Sequence, residues 1–155
     1  MSENTHEFLC PITVYTIGFT HKSAEEFFSI LKVAGVKRVV DIRINNVSQL
    51  AGFSKKKDLE YFLRELGNIE YVHLPDLAPT QDILDEYKKN KGNWLIFEKK
   101  FLRLISERRI EERASREMLD HSCLLCSEAV ADHCHRRLVA EYLKIKWGDV
   151  SIVHL

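Results

Sequence analysis

The sequence predicts a single doubly wound α/β domain over residues 1–155, a mainly parallel sheet of about five strands with helices on both faces. Two observations carry this reading. Short, β-branched apolar runs alternate with helical patterns through short connections, the mark of βα units. The first four of those runs are also apolar along their length, as parallel strands covered on both faces must be. Strand order is not legible at this level.

Each element has a local reason. "ITVYTIG" (12–18) is β-branched and closed by a glycine, so it reads as a buried strand. "SAEEFFSILKVAG" (23–35) is a helix with both ends written in: Ser23 caps, Glu26 completes a capping box, and Gly35 supplies a left-handed stop. Phe27, Ile30, Leu31 and Ala34 form its apolar face. "KRVVDIR" (37–43) is the second strand, "KKKDLEYFLRELG" (55–67) the second helix, and "IEYVHLP" (69–75) a third strand stopped by Pro75.

Residues 80–118 read as helical and charged, with a short helix at "TQDILDEYKKN" and a longer one marked by Trp94, Phe97, Phe101, Leu104 and Ile105. "SCLLCSE" (122–128) is the fourth strand, a helix follows from about His133 to Trp147, and "VSIVHL" (150–155) is the fifth strand.

Composition narrows the function classes. Lys+Arg and Asp+Glu are equal at 23 each, so no global field draws the chain to nucleic acid or anionic membrane. No apolar run approaches the roughly 20 residues that span a bilayer. The start "MSENTHEFLCPITVYTIG" lacks the pattern of a signal peptide, so a cytoplasmic location and four reduced cysteines are the expectation. Oligomeric state is not legible.

In such sheets ligands bind at the carboxyl ends of the strands. Strand 1 leads there through Thr20, His21 and Ser23; strand 2 brings Asp41 and Arg43; strand 3 brings His73; strand 4 ends in Glu128, and its helix opens with Cys134, His135 and Arg136. Four strands thus deliver their unusual polar groups to one edge.

Blander readings stand beside these. Asp41 and Arg43, at i and i+2, suit a structural ion pair; His73 suits a satisfied core histidine; Ser23 suits a helix cap. The basic run Lys55, Lys56 and Lys57 suits a solvated first turn, although cations at a helix N-terminus are disfavoured unless an anion faces them.

Cys123 and Cys126 have zinc-knuckle spacing, but on a strand they point to opposite faces, so no metal ion is expected at Cys123, Cys126 and Cys134, and no cofactor is expected at all. Cys134 lies at a helix N-terminus among His133, His135 and Arg136, an environment that lowers a thiol pKa if the thiol is exposed.

"YTIGFTHKS", "VVDIR", "YVHLPDLAP" and above all "LLCSEAVADHCHRRLVAEYL" resemble the prokaryotic family described as domain of unknown function 488. The resemblance runs over nearly the whole chain and carries onto Gly18, Asp41, Arg43, His73, Cys126, Glu128, Cys134, His135 and Arg136. It implies an α/β domain with its site where the strand ends converge, and no particular reaction. Phe19, Ala78, Pro79 and Ala131 depart from the family's pattern.

The function expected is an enzyme acting on a small anionic substrate or nucleic acid through a phosphate. Thr20, His21, Ser23, Arg43, Lys55, Lys56 and Arg136 would hold the anion. Glu128 or Asp41 would act as base, with His73 or His135 as acid partner. The alternatives are a non-catalytic nucleotide- or modified-base sensor that uses the same pocket, and thiol chemistry at Cys134.

Overall fold

A computed structural model describes residues 10–45, 52–128 and 130–155. The elements run β1 (Ile12–Gly18), α1 (Ala24–Ala34), β2 (Arg38–Asp41), α2 (Lys56–Gly67), β3 (Glu70–His73), α3 (Gln81–Lys89), α4 (Trp94–Arg108), α5 (Ile110–Arg113), α6 (Arg116–Leu119), β4 (Ser122–Cys126), α7 (His135–Trp147) and β5 (Val150–His154). All strand pairs are parallel, in the order β3-β2-β4-β1-β5. The chain is therefore an α/β domain.

The period-2 alternation of strand side chains divides the core in two. Ile17, Val39, Cys123 and Leu125 face α1 and α2, where they bury Phe27, Phe28, Leu31, Leu59 and Leu63. Val14, Val40, Ile42 and Leu124 face the other way, onto Phe97, Phe101 and Ile105 of α4 and Leu138, Val139 and Leu143 of α7. The capping box of α1 forms as its residues require: Ser23 accepts from the Glu26 amide, the Glu26 carboxylate accepts from the Ser23 amide, and Gly35 takes the left-handed cap at φ 75°.

Three elements end short of their sequence-based outlines. β2 and β4 stop short of residues 43 and 128, because pairing between them ends at Asp41↔Leu125 and the next residues turn out of the sheet. The long helix beginning at Trp94 ends at Arg108. Arg109 adopts a left-handed cap at φ 53°, and the chain turns so that Ile110 is fully buried.

The chain leaving β2 enters the α2 face, whereas the chain leaving β4 enters α7 on the opposite face. β2 and β4 are neighbours, so their carboxyl ends diverge and open a crevice between them, the usual ligand position in open parallel sheets. Among the described residues, no helix is long and apolar enough to cross a membrane.

Candidate functional site

The site is built by the turn from β4 into α7. Gly18 of β1 lies beside Cys126 of β4 in register, and the backbone of Glu128 folds back over it. A side chain on Gly18 would have its Cβ 1.5 Å from the Glu128 carbonyl oxygen, so only glycine admits this close approach. Arg136, buried in the first turn of α7, fixes the same carbonyl through Nη1 and donates through Nε to Thr16 Oγ1 at 3.3 Å. Its Nη1 also lies 3.6 Å from Cys134 Sγ. No carboxylate among the described residues lies within ion-pair distance of this guanidinium.

The turn brings Cys134 and His135 beside Cys126. The three ligand-type atoms lie within 4.8 Å of one another, and all three residues are buried. His135 Nε2–H donates to the Ile42 carbonyl at 2.8 Å, which turns Nδ1 toward Cys126 Sγ at 3.4 Å. The Cys126 thiol is held below the ordinary thiol range. The hydrogen bond from Cys134 is the chief cause, and the Glu128 and Ser127 amides and the Arg136 charge reinforce it against burial, which acts the other way. Cys134 is raised, first by its hydrogen bond to Cys126 and then by burial. Cys123, on the opposite face as the strand reading required, is raised by burial, against the lowering charges of Arg136 and Lys22, and belongs to the core.

These groups form the floor of a cleft of about 460 Å³. Arg43 and Asn45 line it from the end of β2, Ser127, Glu128 and His133 from the β4–α7 turn, and Tyr87, Lys88, Trp94 and Phe97 from α3 and α4. The aromatic wall is prepacked: Trp94 stacks on His133 at 5.1 Å and 13° and on Phe97 at 5.1 Å, with Arg137 over its ring at 5.9 Å. Glu128 is exposed, so its carboxylate stands at the rim in solvent.

Of the residues expected at the site, Arg43, Glu128, Cys134 and His135 line this cleft, and Arg136 supports it from beneath. Asp41 does not reach it. Its carboxylate is fully buried and taken by Arg43 Nε and Nη2, each at 2.8 Å, by the Arg43 amide at 3.1 Å and by the Tyr71 hydroxyl at 2.6 Å. His73 Nε2–H donates to the Arg43 carbonyl at 2.8 Å, so two imidazoles satisfy consecutive carbonyls at the end of β2. Thr20 spends its hydroxyl on the Ser127 carbonyl, and Ser23 spends its own on the α1 cap. His21 is exposed outside the cleft with φ 63°. Lys55 and Lys56 stand at the start of α2, also outside it.

The α3–α4 wall was missed by sequence reasoning. Its residues carry an ordinary amphipathic pattern, and nothing in that pattern says which sheet edge the helices overhang.

The sequence pattern of the family described as "Domain of unknown function DUF488" matches residues 23–143, from the α1 cap into α7. No curated protein and no solved structure matches the chain.

Proposed function

We propose, for a chain that belongs to the DUF488 family, an enzyme that acts on a phosphate-bearing substrate, a nucleotide or a nucleic-acid segment, held in the cleft at the carboxyl edge of the sheet. One observation carries this reading. Ionisable groups of opposite sign from three separate parts of the chain, Arg43, Lys88 and Glu128, surround a floor of two thiols and an imidazole, where close packing alone would call for apolar side chains. Anion recognition by itself needs the cations and not the carboxylate.

In this reading Arg43 and Lys88 attract the phosphate. Asp41 positions Arg43, because both its oxygens are engaged by that guanidinium and by Tyr71. Glu128, exposed at the rim, moves the proton.

The test is a turnover screen against nucleotides and short DNA and RNA, with ligand-induced thermal shifts read beside it. Turnover by the wild type that is lost in a folded Glu128→Gln variant is the expected result. A thermal shift without turnover would identify a binding domain instead. Undiminished turnover in Glu128→Gln would remove the carboxylate from the mechanism.

A further inference from the structure

We infer that Cys126, Cys134 and His135 form a site for a zinc-like divalent ion, bound through Cys126 Sγ, Cys134 Sγ and His135 Nδ1, with its fourth position open to the cleft. Two thiolates and an imidazole are the donor set that selects a borderline-soft ion over magnesium or calcium. In a tetrahedron with bonds of about 2.3 Å to sulphur and 2.0 Å to nitrogen, a sulphur–nitrogen edge is roughly 3.5 Å. The Cys126 Sγ to His135 Nδ1 edge is already 3.4 Å, and all three donor atoms lie within 4.8 Å of one another.

The surroundings of these atoms supply the second argument. A metal-bound histidine ordinarily donates its other ring N–H to a carbonyl or carboxylate, which fixes the tautomer and aims the ring. His135 does this with the Ile42 carbonyl at 2.8 Å. Arg136 contacts Cys134 Sγ, and the amides of Ser127 and Glu128 point at Cys126, so both sulphurs sit among donors suited to thiolates. The chain's other two cysteines show the contrast. Cys10 is exposed, and Cys123 lies in apolar packing.

Sequence spacing had pointed to a different set, with Cys123 as a ligand, and strand geometry rules that set out. His135 takes the place Cys123 cannot fill.

Charge then assigns the open position. Binding releases both thiol protons to solvent, and two thiolates neutralise the divalent ion. Arg136 leaves one uncompensated positive charge beside the centre, which favours hydroxide or an anionic oxygen as fourth ligand. That last point rests on the cleft being the substrate site; metal binding itself does not.

The experiment uses the full chain, reduced, without a histidine tag, and stripped with a chelator. Titration with zinc against a chromophoric chelator should show one equivalent, and cobalt should give thiolate-to-metal charge-transfer bands with tetrahedral visible absorption. Cys126→Ser and His135→Gln should lose both signals, while Cys123→Ser, folded by circular dichroism, keeps them. Reduced wild type that takes up no stoichiometric zinc overturns the inference, whatever the variants do. So does equal loss in Cys123→Ser. These readouts involve no turnover, so a metal-binding protein that fails the nucleotide screen refutes only the proposed function, and turnover by a protein that binds no metal refutes only this site.

Discussion

Gly18→Ala isolates the contact on which the β4–α7 turn depends. The new Cβ would lie 1.5 Å from the Glu128 carbonyl oxygen, 2.6 Å from its carbon and 2.8 Å from Arg136 Nη1. Restoring about 3 Å requires the Glu128 backbone to retreat by roughly 1.5 Å, more than a packed interior yields without repacking. That retreat breaks the charged hydrogen bond from Arg136 to the Glu128 carbonyl, a loss of about 1.5–3 kcal/mol. Overpacking adds about 1–3 kcal/mol. The two overlap, so a net loss of about 2–5 kcal/mol is expected. Urea unfolding followed by circular dichroism measures it. Gly52→Ala is the control, since nothing lies within 4 Å of a Cβ there. A Gly18→Ala loss under about 1 kcal/mol, or one matched by Gly52→Ala, would show that the turn is not held by this approach.

Three further outcomes are expected. Asp41→Asn leaves Arg43 buried with a weakened partner and should cost about 3–5 kcal/mol in urea unfolding; a loss below about 1 kcal/mol contradicts the pairing. In reduced, chelator-treated protein, iodoacetamide should label Cys126 with a pH midpoint below the ordinary thiol value of about 8.5 and leave Cys123 untouched, as read by peptide mapping. A midpoint at or above that value counts against the thiolate environment.

His154 is the third case. Burial and the Arg136 charge lower its pKa. Arg136 Nε donates to Thr16 Oγ1, which leaves the Thr16 hydroxyl proton for His154 Nδ1. Its folded pKa lies below the unfolded value, so the unfolded chain binds the extra proton. Its contribution is therefore present above about pH 6.5 and is lost as pH falls. Thermal unfolding across that window should flatten in His154→Gln, and an unchanged profile would exclude the linkage.

Periodicity and caps made most of the fold legible. Ser23, Glu26 and Gly35 announced α1 because capping is local chemistry, and the apolar runs announced the central strands β2 and β4 because burial on both faces forbids alternation. The edge that carries the candidate cleft was legible from the polar residues collected at the ends of strands. Individual roles were not. Asp41 looked available at the end of its run, but its second partner, Tyr71, comes from the neighbouring strand and is invisible to local spacing. Cys126, Cys134 and His135 meet only because the turn folds back over Gly18, and Gly18 shows that necessity only beside Glu128. Arg109 ended a helix whose charged sequence would have continued it, because tertiary burial of Ile110 outweighed local preference.

The strand order has a consequence for how the chain acquires its shape during synthesis. β1 and β2 follow one another in the sequence, yet β4 lies between them in the sheet. When the ribosome has released β1, α1, β2, α2 and β3, only β2 and β3 have each other as partners, and β1 has none. The sheet closes only once residues 122–126 emerge and slot between two strands made long before. Every one of those contacts spans a long loop, which slows formation and leaves two strand edges exposed to other chains in the interval. The strand that joins the two halves of the sheet is also the one that carries Cys126, so a nascent chain cannot present its cleft before β1 and β2 have been bridged.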